Sequence, residues 1–197
     1  MAPLRVAGID PGTLQTGIGV MEQNERKQYL LIHAETIKVS AKKALPERLR
    51  EIYGGLKEVL TIYRPQVVAI ENVFFSKDFK AAVKIGEARA VAMLAAMELA
   101  IPVHEYSPAR VKEAICGNGR AHKLQVQFMI KQLLRLKELP LPDSADALAI
   151  AVCHLHMNQW NLMREKAVVG SVPNLIQSKG KPVDSRRVWS LSEQGGK

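Results

Sequence analysis

An α/β fold, with one mixed five-stranded sheet flanked by helices, is predicted by three observations. The chain opens with three strand-like segments separated by short turns, the pattern of an antiparallel meander. Helical and strand-like segments then alternate, which packs helices onto the faces of a sheet. The size is also right: 197 residues, 47% hydrophobic and 24% charged, suit one α/β domain with an appendage and argue against two full-sized domains.

Residues 5–10 (RVAGID) are a short apolar run ending in a carboxylate, and Pro11-Gly12-Thr13 follows as a turn. Residues 17–21 and 29–39 read as the second and third strands, joined by the polar turn QNERK. Residues 45–63 have helical spacing: Leu45, Leu49, Ile52, Leu56, Val59, Leu60 and Tyr63 share one face. Residues 66–71 (QVVAIE) form a strongly apolar strand, again with a carboxylate at its end. A long alanine-rich helix is expected over 77–99, a short strand over 102–106 and a short helix over 108–115. The loop Gly117-Asn118-Gly119 precedes helical patterns over 123–136 and 143–156.

The folded domain is expected to end near residue 158. Residues 159–197 read as a basic, mobile C-terminal extension, with a short ordered segment around 168–176. From 161 onward it carries seven basic residues against three acidic ones, a net +4.

The whole chain has 28 Lys and Arg against 19 Asp and Glu, a net charge of +9 and a pI near 9.7. That balance favours an anionic partner such as nucleic acid or an acidic membrane. Two cysteines, Cys116 and Cys153, with no His/Cys cluster, argue against a disulfide scaffold and a zinc site. The first 30 residues lack a signal segment and no apolar run reaches membrane-spanning length, so a cytoplasmic protein with no membrane partner is expected.

Five aspartates are present, and three of them stand at element ends together with one glutamate: Asp10, Glu71, Asp143 and Asp146. If the first and fourth strands are parallel neighbours, Asp10 and Glu71 emerge side by side where open α/β sheets commonly place function. The i, i+3 spacing puts Asp143 and Asp146 on one helical face. Each has an ordinary alternative: Asp10 as a turn residue, Asp143 as an N-cap, Asp146 as a charge favoured at a helix start. Taken together, four converging carboxylates repel unless cations intervene. Hard divalent ions such as Mg²⁺ or Mn²⁺ suit their oxygens, and a pair of them supports phosphodiester hydrolysis.

Residues 110–137 hold seven basic residues against Glu113, a net +6. Gly117 and Gly119 permit close backbone approach, so Lys112, Arg120 and Lys123 are candidate phosphate contacts, while Lys131, Arg135 and Lys137 also suit a solvated helix face. Three of the four phenylalanines, Phe74, Phe75 and Phe79, follow the Glu71 strand. Phe74 is the candidate to stack on an unpaired base or wedge a distorted duplex; Phe75 and Phe79 better fit core or interface. The small residues of the 77–99 helix permit close packing on the sheet or on a second copy.

Five segments, GIDPGT at 8–13, AIENVFFSKD at 69–78, KIGEARAVAM at 84–93, GNGRAHKLQVQ at 117–127 and DSADALAIA at 143–151, resemble the bacterial Holliday junction resolvases of the RuvC family. The resemblance runs in order from about residue 6 to 156. It implies a ribonuclease H-like fold and a homodimer that cuts four-way junction DNA symmetrically with Mg²⁺ or Mn²⁺, two ions per site. It implies ligatable products with 5′-phosphate and 3′-hydroxyl ends, and work alongside bacterial junction-binding and branch-migration proteins. It makes Asp10, Glu71, Asp143 and Asp146 the catalytic metal ligands, Phe74 the aromatic residue near the junction centre, and Lys112 and Lys123 contacts to DNA. His122 stands where an acidic or small polar residue is expected, and the extension beyond Asn161 exceeds the family core.

Three other functions fit parts of the pattern. GIDPGT is similar to the first phosphate loop of sugar kinases and chaperone ATPases, but those need a duplicated domain and a second such loop. A ribonuclease H-like enzyme acting on RNA would share the acidic cluster. A non-catalytic DNA-binding scaffold is favoured by loss of an acidic residue, and all four are present.

Overall fold

The computed structural model describes residues 3–72 and 79–170. The meander is formed by β1 (Leu4–Asp10), β2 (Gln15–Gln23) and β3 (Tyr29–Lys38). Helix α1 (Leu45–Tyr63), strand β4 (Val67–Glu71), helix α2 (Phe79–Glu98) and strand β5 (Val103–Tyr106) follow. Three helices complete the order: α3 (Pro108–Cys116), α4 (Lys123–Leu133) and α5 (Pro142–Gly170). The five strands form one mixed sheet in the order β3-β2-β1-β4-β5. The β1–β2 and β2–β3 pairs are antiparallel, and β1–β4 and β4–β5 are parallel.

The alternation of strand residues sorts the core into two layers. Ala7, Ile9, Ile18, Val20, Val68 and Ile70 face α1 and α2. Val6, Met21 and Ala69 face α3, α4 and α5. Successive side chains point to opposite faces, so a central strand covered on both sides is apolar at consecutive positions.

Helix α1 begins at Leu45 and ends at Tyr63, where its spacing predicted. It stops because Arg64 turns into a left-handed conformation (φ 45°) whose N–H still bonds Leu60 O. The helix expected over 123–136 ends at Leu133, with Arg135 at a positive φ of 53°. Helix α5 runs to Gly170, well beyond the expected end at His156. Residues 157–169 contain no Gly or Pro, so nothing in the backbone stops the helix there. The chain divides into two units, Met1–Trp160 with the sheet, and Asn161–Lys197, of which 161–170 are described, as helix. No described helix is long and apolar enough to cross a membrane.

Helix α5 lies directly on β1 and β2. A Cβ at Gly8 would collide with the Ala147 carbonyl and the Ala151 nitrogen. One at Gly17 would collide with the Asp143 carbonyl. At both positions the obstacle is helix backbone, which cannot rotate away as a side chain can.

Gly17→Ala should therefore lift the start of α5 off β2. We expect a stability loss of about 1–3 kcal/mol, the usual cost of forcing extra atoms into a packed contact. Urea unfolding checks this, and a wild-type value would show that α5 is not held against Gly17.

Candidate active site

Two strand ends bring the first two carboxylates together. Ile9 pairs with Ile70 in the parallel β1–β4 register, so the next residues, Asp10 and Glu71, are neighbours at one sheet edge. Gly17 is the partner of Asp10 on the other side, Thr36 pairs with Gly17, and Tyr106 pairs with Glu71. A row Thr36, Gly17, Asp10, Glu71, Tyr106 thus crosses the whole sheet at this edge.

Helix α5 supplies the other two. Asp143 is its second residue and not its N-cap, and Asp146 lies one turn further along. The contact with Gly17 sets Asp143 over the row, and Ser144 Oγ meets Thr36 Oγ1 at 3.2 Å. Ser144 is only 4% exposed, so that hydroxyl pair is a buried link between helix and sheet.

Two lysines face the acids. Glu71, Lys112, Lys123 and Asp146 line a cleft of about 230 Å³, walled by Val111, Val126 and Ile150. Lys123 Nζ lies 2.6 Å from Asp146 Oδ2. The backbone N–H of His122 donates to Gln125 Oε1 at 2.8 Å, which fixes the turn that presents Lys123.

The electrostatics match this crowding. Burial, then repulsion from Glu71 and Asp146, pushes the Asp10 carboxyl up to about 7, with Asp143 adding to the rise and Lys123 opposing it. Burial and then Asp146 raise Glu71 above its ordinary value, against the pull of Lys112 and Lys123. Burial also raises Asp146, although Lys123 and Lys112 hold it down. At Lys123 burial works against the charge, but the Asp146 hydrogen bond and the attraction of Asp146, Asp10 and Asp143 outweigh it, and its pKa is raised.

Six of the eight residues singled out from sequence thus belong to one electrostatic cluster: Asp10, Glu71, Asp143, Asp146, Lys112 and Lys123. Arg120 lies instead in a separate shallow depression with Ser107, Arg110, Glu113 and Asn118. It does not line the acidic cleft. The reason is local: Asn118 Oδ1 accepts from the Arg120 backbone N–H at 2.9 Å, turning the loop away. Phe74 and Phe75 lie outside the described residues, and nothing is described of the Phe79 side chain. Sequence reasoning passed over Gly17, Ser144, Tyr106 and His154. Gly17 had a signal, since it follows the Asp10 turn in a strand where glycine otherwise weakens pairing.

The family model for crossover junction endodeoxyribonuclease RuvC matches residues 6–154. The crossover junction endodeoxyribonuclease RuvC of Citrifermentans bemidjiense is 46% identical over 153 residues, 77% of this chain and 92% of that protein. That of Shewanella frigidimarina is 47% identical over 154 residues, 78% of this chain and 88% of that protein.

This chain belongs to the RuvC family.

It is accordingly an enzyme, a crossover junction endodeoxyribonuclease. The structure of T. thermophilus RuvC in complex with a Holliday junction substrate superposes with a TM-score of 0.76 at 39% identity, covering 80% of this chain and 96% of that one. The sheet and helices of the resolvase are therefore those of the ribonuclease H-like fold.

The four acids fit a hard divalent cation by donor chemistry: all are carboxylates, and three have pKa values raised by burial and like charge. As the side chains stand, no three His, Cys, Asp or Glu groups among the described residues form a closed cage for an ion. Asp146 is turned towards Lys123.

The raised Asp10 value has a sign that can be tested. The folded protein holds the Asp10 proton up to about pH 7, against 3.8 for an ordinary aspartate. Stability is therefore lost as pH rises through that window, and above it the penalty is complete. Allowing for solvent screening, we expect about 2 kcal/mol. Without metal, Asp10→Asn should be more stable than wild type by roughly that amount at pH 8, and the gap should close towards pH 4. Denaturation across that range with chelator present checks this; equal stability at pH 8 would show that Asp10 is not strained.

Proposed function

We propose that the resolvase cleaves opposed strands of a four-way DNA junction near the crossover, with Asp10, Glu71, Asp143 and Asp146 as the ligands of two Mg²⁺ ions, replaceable by Mn²⁺. The observation that carries this reading is the buried carboxylate group at one sheet edge, with Lys112 and Lys123 facing it in the same cleft. Bound divalent ions would supply charge stabilisation at the attacking water and the departing oxygen.

The chain's own residues supply the rest. The four carboxylates fix where the cations sit relative to the cleft. Lys112 and Lys123 take the non-bridging oxygens of the phosphate, and Lys123 exchanges its Asp146 partner for that anion. Water adds to phosphorus in line and gives up a proton to solvent, the bond to the 3′ oxygen breaks, and that oxygen leaves with the electron pair and gains a proton from solvent. The products are a 5′-phosphate and a 3′-hydroxyl, ready for ligation. Among the described residues no cysteine, Ser–His pair or nucleophilic lysine is placed to form a covalent intermediate. Phe74 holds the distorted crossover open, and Arg120 adds a phosphate contact outside the cleft.

One site cannot cut two strands at once, so the working form is a homodimer whose twofold axis matches that of the junction. The surface of α2 suits such a seam, with Val83, Leu94 and Met97 exposed. Residues 1–158 form the nuclease domain and 159–197 a basic extension that adds non-specific DNA affinity. The enzyme acts in the cytoplasm, in concert with junction-binding and branch-migration proteins.

The reading is tested by incubating the enzyme with a labelled mobile junction, linear duplex and an RNA hairpin, each with Mg²⁺ and with chelator. Cleavage of the junction alone, requiring Mg²⁺ and giving ligatable ends, is expected. Products with 3′-phosphate ends, or a trapped protein–DNA adduct, would exclude the mechanism, and equal cutting of duplex would remove the junction selectivity. Amide replacement of any one of the four acids should lower turnover by at least about 100-fold while junction affinity changes little, because positioning acts on the transition state. Neutralising Lys112 or Lys123 should instead weaken binding to all junction sequences alike and reduce the salt slope by up to about one unit each. Unchanged slopes in both would return these lysines to ordinary surface charge.

A further inference from the structure

Helix α5 carries Asp143 and Asp146, whereas Asp10 and Glu71 sit on strands, so the site exists only if helix and sheet hold one relative position. Over β1 and β2 that position is fixed by contact, because Gly8 and Gly17 let the helix backbone rest on the sheet. At the β3 edge the Ser144–Thr36 hydroxyl pair adds a directional link. Glu71 lies on the other side of β1, towards β5. Apolar contacts alone would leave that side free to slide, since they have no preferred direction.

One directional contact is present on that side. Tyr106 Oη and His154 Nδ1 share a hydrogen bond of 2.8 Å. Tyr106 pairs with Glu71 across the β4–β5 ladder, and its backbone carbonyl accepts from the Asn72 N–H at 2.7 Å, clamping the end of β4. His154 is on α5, eight residues and about 12 Å beyond Asp146, on the same helical face. It is 5% exposed, and the rings of His104 and Tyr106 stand against it at 4.8 and 5.9 Å.

We propose that the Tyr106–His154 hydrogen bond is the second anchor of α5 and sets the separation between Glu71 and the Asp143–Asp146 pair, making Tyr106 and His154 positioning residues of the nuclease site. With Ser144–Thr36 at one end of the cross-sheet row and His154–Tyr106 at the other, α5 is pinned on both sides of Asp10. Burial, with Cys153 adding to it, pushes the Tyr106 hydroxyl up to about 12, and burial with His104 brings His154 down to about 4, so the bond joins two neutral groups across the working pH range. The inference rests on the acidic cluster being the metal site.

The test uses the full chain and reads Mn²⁺ binding directly, by electron paramagnetic resonance of the free ion, alongside thermal unfolding, junction affinity and single-turnover cleavage. Tyr106→Phe keeps the ring and removes the hydroxyl. It should weaken Mn²⁺ binding and slow cleavage by about tenfold each, the low end for losing a group that orients metal ligands. Junction affinity should stay within about twofold, and added Mn²⁺ should restore part of the rate. His154→Asn, which keeps a hydrogen-bonding atom near Nδ1, should behave nearly as wild type, whereas His154→Leu should match Tyr106→Phe. The double variant Tyr106→Phe with His154→Leu should be no worse than either alone. A folded Tyr106→Phe protein with wild-type Mn²⁺ affinity and rate would overturn the proposal, as would losses that merely follow the melting temperature and weaken junction binding equally. Asp10→Asn separates the two levels. If wild type binds Mn²⁺ and Asp10→Asn binds it as well, the cluster is not the metal site, and the functional reading fails together with this one.

Discussion

The site depends on how closely one helix can lie on one sheet. Four carboxylates come from β1, β4 and α5, and no two of these elements are consecutive in sequence. Their convergence needs α5 to approach β1 and β2 with nothing but glycine in between. A methyl group on Gly17 would displace the same turn that carries Asp143. The glycines are therefore part of the acidic site although they have no chemistry of their own, because they set the distance across which the acids act.

That closeness has an electrostatic cost. Asp146 raises Glu71, both raise Asp10, and burial raises all three. A fold selected only for stability would replace one of them with an uncharged residue. The charges are offset in part by Lys112 and Lys123, which lower the cost at Glu71 and Asp146.

The two faces of the sheet serve different ends. Helices α1 and α2 cover one face with an apolar layer in which Ile52, Leu56, Ala92 and Ala96 are fully buried. The other face holds α3, α4 and α5, and every described residue of the acidic cleft beyond the strand ends comes from these three. Two polar links tie α5 to the sheet across that second layer: Thr36 to Ser144 and Tyr106 to His154. Apolar packing keeps α5 on the sheet, and hydrogen bonds define where along the sheet it stops.

Much of this was legible in the sequence because the relevant signals are local. Apolar runs bounded by turn residues identified the five strands, helical spacing and composition identified α1 to α4, and strand-terminal carboxylates marked Asp10 and Glu71. The helix end at His156 was misjudged because a polar composition was read as irregular chain, although residues 157–169 contain nothing that breaks a helix. Arg120 was grouped with Lys112 and Lys123 because all three stand near the glycine loop, but the Asn118 turn just before Arg120 leaves it in a separate depression while Lys123 lines the cleft. By itself, then, the sequence determined the elements, the acidic and basic residues available and the family to which they belong. Only the tertiary structure decided that Gly17 faces Asp143, that Ser144 meets Thr36, and that Tyr106 meets His154. These are contacts between residues 48 to 126 positions apart, whose meeting depends on strand order and helix placement rather than on any pattern along the chain.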